Sequence, residues 1–130
     1  MPLNMPAIKI RQRDIDIYVT TMRAEDLLNN YSIAWWKRDD PKGYQRPLKD
    51  SRIREIKHYL LKEIGTFPTS VLANVRGELR LKIIKRLSEN SELCEISIPE
   101  KSLWVIDGQH RVEGLRAATD EEKKFRDYPL

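Results

Sequence analysis

The chain changes along its length between a two-residue hydrophobic repeat and a helical one. Apolar and polar residues alternate over residues 7–19, which predicts a half-buried strand. Residues 51–64 carry isoleucines and leucines at helical spacing, which predicts an amphipathic helix that Gly65 ends. The positions predicted to face the core are Ile53, Ile56, Leu60, Leu61 and Ile64.

The remaining elements give a mixed pattern. A short helix is predicted over 22–31 and a longer one over 109–119. Apolar and β-branched runs predict four more strands, over 69–75, 78–87, 94–98 and 102–106. The longer C-terminal helix is predicted to turn Val112, Leu115, Ala118 and Thr119 inward. Strands before and after a prominent helix favour an α+β fold with a mixed sheet and packed helices.

The junction between strand 102–106 and helix 109–119 carries the strongest functional signal. The strand runs into Asp107 and Gly108, and Gln109, His110 and Arg111 then open the helix. A glycine turn into a helix brings backbone N–H groups to one point, where a phosphate can bind. His110 and Arg111 are candidates to hold the same anion, and Asp107 is a candidate Mg²⁺ ligand. The alternative is a plain turn in which Asp107 caps the helix.

Composition limits the class of protein. The chain has 130 residues with 40% hydrophobic and 34% charged, which predicts one domain over 1–130. It has no apolar run of membrane-spanning length, so no membrane association is expected. The one cysteine, Cys94, cannot pair internally and is expected in the core, which favours a cytoplasmic location. Residues 125–130 resemble the approach to another strand, so we expect the N-terminal fragment of a longer protein.

Positive charge is concentrated in the first half. Residues 1–65 hold 13 basic and 9 acidic residues, whereas residues 66–130 hold 11 of each. Segment 37–62 alone has 9 basic against 4 acidic residues, so it can attract a polyanion such as DNA or form an ordinary solvated face. The candidate DNA contacts are Lys49, Arg54, Lys57 and Lys62.

A second cluster precedes the basic helix. In Gly-Tyr-Gln-Arg-Pro (residues 43–47), glycine and proline bracket an aromatic ring, an amide and a guanidinium. Tyr44, Gln45 and Arg46 suit base stacking, hydrogen bonding and phosphate pairing, respectively. Taken alone, the segment could equally be a structured loop.

The two clusters together resemble a known family. The order of Gly-Tyr-Gln-Arg-Pro, an amphipathic helix, Phe67-Pro68 before a strand, and strand-Asp-Gly-Gln-His-Arg-helix is similar to the DGQHR-domain proteins. That group includes the DndB-type regulators of DNA sulfur modification. The resemblance covers roughly residues 40–120, and Asp107–Arg111 is its most specific element.

More distantly, the layout resembles the ParB/sulfiredoxin-like fold. That resemblance implies phosphate binding by Gly108, Gln109, His110 and Arg111, with Gln45 and Arg46 approaching from the earlier loop. Gln109 stands where sulfiredoxins carry their reactive cysteine, so thiol chemistry is not expected. His110 stands where ParB proteins usually have arginine, so the nucleotide, ATP or CTP with Mg²⁺, cannot be assigned. A homo-oligomer is also consistent with the resemblance, since ParB-like domains can dimerise on nucleotide.

Three functional hypotheses follow. The first is a DNA-associated nucleotide-binding domain, in which any Mg²⁺-dependent NTP hydrolysis would use Asp107, His110 and Arg111. The second is a non-enzymatic DNA-binding module or transcriptional regulator that uses segment 37–62. The third is a protein-interaction domain with Trp35 and Trp36 as its contact patch.

Overall fold

The computed structural model describes residues 2–33, 50–67 and 69–130. These residues form two compact units. One unit lies within Met1–Met22 and Gly77–Glu100, and the other within Arg23–Arg76 and Lys101–Leu130. The α+β class is therefore confirmed, with a separate sheet in each unit. The prediction of one domain over 1–130 stays a prediction.

The first unit is a four-stranded antiparallel sheet. Its strands are β1 (Leu3–Gln12), β2 (Ile15–Thr20), β5 (Arg80–Ser88) and β6 (Ser91–Ile98), in the order β2-β1-β6-β5. The buried side chains of β1 and β6 meet across the ladder, where Met5 faces Ile96 and Ala7 faces Cys94. Cys94 is fully buried, as the sequence predicts.

The single strand predicted over 7–19 is wrong. The structure divides it into β1 and β2, joined by a two-residue turn at Arg13 and Asp14. Arg13 adopts a positive φ of 55°. The two-residue repeat runs through both arms of this hairpin, and the turn contains neither glycine nor proline, so the hydrophobic pattern gives no sign of the reversal.

In its described residues, the second unit combines a small sheet with three α-helices. Its elements are α1 (Ala24–Leu28), β3 (Tyr31–Ile33), α2 (Asp50–Lys62), β4 (Leu72–Val75), β7 (Leu103–Asp107), α3 (Gln109–Glu121) and a 3₁₀ turn (Lys123–Asp127). The strand order is β3-β7-β4, with β7 parallel to β3 and antiparallel to β4. The central strand β7 is thereby held on both sides.

The core of this unit lies along α3. Val112, Leu115 and Ala118 are buried as predicted, while Thr119 is half-buried. On α2, Leu60 is buried, but Ile64 is 81% exposed, so its predicted inward position is wrong. The physical reason is that α2 ends at Lys62, before Ile64.

Helices α2 and α3 pack closely at a glycine. A Cβ on Gly114 would lie 2.6 Å from Ile56 Cβ, well inside van der Waals contact. Ile56 Cβ is attached directly to the backbone of α2, so it can move away only with its helix. Gly114 therefore permits a close approach that a side chain would prevent.

Gly114→Ala tests this packing. Helix propensity alone favours alanine by about 1 kcal/mol, whereas overpacking costs about 1–3 kcal/mol. We expect a net decrease of about 1 kcal/mol in the free energy of unfolding, measured by urea denaturation. Ala117→Gly, on the same helix, serves as the control for propensity. A Gly114→Ala variant more stable than the original chain would contradict the close packing.

Candidate phosphate-binding turn

The turn between β7 and α3 is built from a buried strand and a left-handed glycine. Leu103 and Val105 of β7 are buried, and β7 ends at Asp107. Gly108 has φ +92° and is the N-cap residue of α3. Because β7 is the middle strand of its sheet, the position of this turn is fixed by two ladders.

Two observations favour glycine at position 108, and the backbone conformation is the stronger of them. Its positive φ is disfavoured for residues with a Cβ. A Cβ there would also lie 2.8 Å from a terminal guanidinium nitrogen of Arg111 and 3.2 Å from Val71 Cγ2. The Arg111 side chain therefore lies directly over the glycine.

Arg111 connects the turn to the segment before β4. Its guanidinium donates to the hydroxyl of Thr69 and, over 3.0 Å, to the carbonyl oxygen of Ser70. Since a guanidinium carries five N–H donors, these two contacts leave others for a ligand. The sequence did not predict these contacts of Arg111 with Thr69 and Ser70. The anion-binding role of Arg111 stays a prediction.

The alternative that Asp107 caps α3 is wrong. The N-cap residue is Gly108, which has no side chain, and the first intrahelical hydrogen bond runs from Val112 N to Gly108 O over 3.0 Å. The amides of Gln109 and Arg111 precede that bond, so no carbonyl of α3 itself accepts from them. This is the end of a helix at which anions are favoured.

The acidic and imidazole side chains flank this turn. Asp107 is exposed at the end of β7, and His110 is half-buried in the first turn of α3. Within residues 2–33, 50–67 and 69–130, no group of three or more His, Cys, Asp and Glu side chains is placed to hold a metal ion. Mg²⁺ binding by Asp107 and catalytic roles for Asp107 and His110 stay predictions.

Several predicted contacts fall outside the described residues. Tyr44, Gln45, Arg46 and Lys49 belong to this group, as do Trp35 and Trp36. An approach of residues 43–47 to the Asp107–Arg111 turn therefore stays a prediction.

The predicted DNA contacts on α2 differ in their surroundings. Arg54 and Lys62 are exposed. Lys57 is half-buried and pairs with Glu121 of α3 at 2.8 Å. The hydrogen bond and charge of Lys57 lower the pKa of Glu121. Lys57 is thus engaged within the protein, while Arg54 and Lys62 present their charge to solvent.

A polar cluster next to the turn was missed by the sequence analysis. The Tyr31 hydroxyl donates to Glu113 and accepts from Arg116 Nε over 2.9 Å. Arg116 also donates to the carbonyl oxygen of Leu28 over 2.8 Å. Glu113 and Arg116 are three residues apart on α3, a spacing that puts them on one helix face, but nothing local identifies Tyr31 as their partner.

This cluster fixes α3 and neutralises a charge near the turn. Glu113 lies one helical turn after His110, where its carboxylate would oppose an anion at the helix start. The Tyr31 hydroxyl donates to that carboxylate, and the positive charge of Arg116, which donates to the same hydroxyl, acts on Glu113 through space. Burial, followed by the hydrogen bond to Glu113, raises the pKa of Tyr31 to about 12.

Comparison with known proteins identifies the family. The model of the DndB family, described as DNA-sulfur modification-associated, matches residues 5–130. This chain belongs to the DndB family. The match includes both clusters on which the sequence resemblance was based and confirms that resemblance. No curated protein and no solved structure matches the chain, so the ParB/sulfiredoxin-like fold stays a prediction.

Among the described helices, none is long and apolar enough to cross a bilayer.

The Tyr31 cluster predicts an alkaline transition. Because the pKa of Tyr31 rises from 10.0 to about 12 on folding, the neutral phenol stabilises the fold fully below pH 10. That stabilisation is lost as the pH rises through about 12. We expect a tyrosinate absorbance step near pH 12 that disappears in Tyr31→Phe, with a weaker pH dependence of unfolding above pH 10. A Tyr31→Phe variant with an unchanged titration would show that the step belongs to another tyrosine.

Proposed function

We propose that this DndB-family chain binds a nucleoside triphosphate at the Asp107–Arg111 turn and acts in a DNA-sulfur-modification system. The observation that carries the proposal is the position of Arg111. Its guanidinium lies over Gly108, beside the N-terminus of α3, so a full positive charge and the helix amides lie at the same short segment. This combination suits a phosphate group better than a neutral ligand.

Each residue of the turn has a role in this proposal. Gly108 leaves room for the Arg111 guanidinium beside the helix start, and the amides that begin at Gln109 donate to phosphate oxygens. His110 and Arg111 balance the phosphate charge, and Tyr44, Gln45 and Arg46 are the further candidate contacts from the sequence. ATP and CTP both fit these general contacts.

Asp107 is the candidate Mg²⁺ ligand. Its side chain is exposed at the end of β7, one residue before the turn. A carboxylate there would repel a bare phosphate, whereas Mg²⁺ held by Asp107 would neutralise both. If hydrolysis follows binding, His110 and Arg111 are the residues that stabilise charge on the transferred phosphoryl group.

DNA binding by α2 is the second candidate function. It is favoured by the exposed side chains of Arg54 and Lys62 together with the DNA-associated family. The carboxylates of Asp50 and Glu55 lie on the same helix and reduce its net charge. DNA is the proposed partner in this case, contacted through its phosphates by Arg54 and Lys62.

Arg111→Ala tests nucleotide binding. We expect the original chain to bind ATP or CTP in the presence of Mg²⁺, and the variant to bind at least about 10-fold more weakly, because a charge-assisted hydrogen bond is lost. Isothermal titration calorimetry with ATP, CTP and GTP measures this. If the original chain binds none of the three, or binds them no better than Arg111→Ala, the proposal is wrong.

Thr69→Val is the matched control for this variant. It removes one protein partner of Arg111 but keeps the guanidinium, so it should retain nucleotide binding. Loss of affinity in both variants would assign Arg111 to a purely structural role. DNA binding in nucleotide-free buffer that weakens with salt and survives Arg111→Ala would instead favour the second candidate.

A further inference from the structure

Strand β5 forms an exposed edge of the first unit's sheet. It is the outermost strand in the order β2-β1-β6-β5, and all nine of its residues are exposed. An edge strand presents backbone N–H and C=O groups that can pair with another chain. Large aliphatic side chains accompany this edge, with exposed fractions of 39% for Leu81, 44% for Ile83, 56% for Ile84 and 48% for Leu87.

The same strand is strongly cationic. It contains no acidic residue and carries positive charge at Arg80, Lys82, Lys85 and Arg86. On its inner side it pairs with β6, where Lys82 faces Glu95 and Arg86 faces Glu92, while Leu81 faces Ile96. Acidic residues of β6 thus face two of the four cations of β5, while Arg80 faces Ser97 and Lys85 faces Leu93. The register shifts between Ile83 and Lys85 and between Arg86 and Ser88.

A second copy of β5 is a poor partner for this edge. In a two-fold antiparallel pairing, the residue at the axis faces its own copy. An axis at Ile83 places Arg80 opposite Arg86, and an axis at Ile84 places Lys82 opposite Arg86. An axis at Lys85 places two lysines opposite each other. Like charges directly opposite each other are destabilising, so pairing of two β5 strands is unfavourable in each of these three registers.

We propose that the outer edge of β5 binds an extended acidic segment of a partner protein, which adds a fifth strand to the sheet. The backbone ladder supplies affinity, and the cations select acidic residues at alternate positions of the incoming strand. The exposed aliphatic side chains of β5 pack against apolar residues between those acids. The segment recognised therefore alternates acidic and apolar residues.

A labelled peptide of alternating glutamate and valine tests this proposal with the whole chain. Fluorescence anisotropy should show saturable binding, and the matched peptide of alternating lysine and valine should bind at least about 10-fold more weakly. Lys82→Glu combined with Lys85→Glu should reverse this preference. Circular dichroism confirms that the double variant keeps its fold.

Backbone methylation distinguishes strand addition from simple charge attraction. Two peptides are compared, one with N-methyl groups on every valine and one with N-methyl groups on every glutamate. One of them should lose binding and the other should bind almost normally, because only one edge of the peptide pairs with β5. Equal binding of the two methylated peptides would overturn the proposal. So would equal binding of the glutamate and lysine peptides, or binding of duplex DNA but not of the glutamate peptide at this edge.

Discussion

The contact between Arg111 and Gly108 is the constraint on which the second unit's turn depends. The guanidinium lies so close to the glycine that a Cβ would meet it at 2.8 Å. The same guanidinium binds Thr69 and Ser70, which precede β4. One side chain therefore joins the start of α3 to the segment leading into β4, and the glycine provides the space for it.

The free energies of the two interactions indicate which group would contribute more to phosphate binding. A helix N-terminus contributes about 0.3–1 kcal/mol to the binding of a negative charge at an exposed position. A hydrogen bond to a charged group contributes about 1.5–3 kcal/mol. Arg111 is thus the main expected source of affinity, while the amides of α3 set the direction of approach. The hydrogen bond from Tyr31 to Glu113 and the nearby charge of Arg116 offset an opposing charge one turn away.

Local sequence predicted those features that are set within a few residues. The glycine turn, the start of α3 and its buried face at Val112, Leu115 and Ala118 all follow from short-range patterns. The helix at α2 was predicted to within one or two residues of its bounds, although Ile64 was assigned to the wrong side. The hairpin at Arg13 was missed because alternation continues through both arms.

Features that join distant parts of the chain could not be predicted in this way. Tyr31 meets Glu113 and Arg116 only because β3 lies beside β7 in the folded sheet. Likewise, nothing near Arg111 indicates that Thr69 and Ser70 are its partners. The strand order makes β5 an exposed edge. The sequence of β5 alone predicts a strand but not its position in the sheet.

The central claim is that the amides opening α3 receive a phosphate held by Arg111. Amide chemical shifts of the whole chain, recorded by NMR during addition of ATP or CTP with Mg²⁺, test it most directly. The account predicts saturable shifts centred on Gly108, Gln109, His110 and Arg111, with α2 little changed. Saturable shifts confined to α2 or to the first unit, with the turn unaffected, would contradict it.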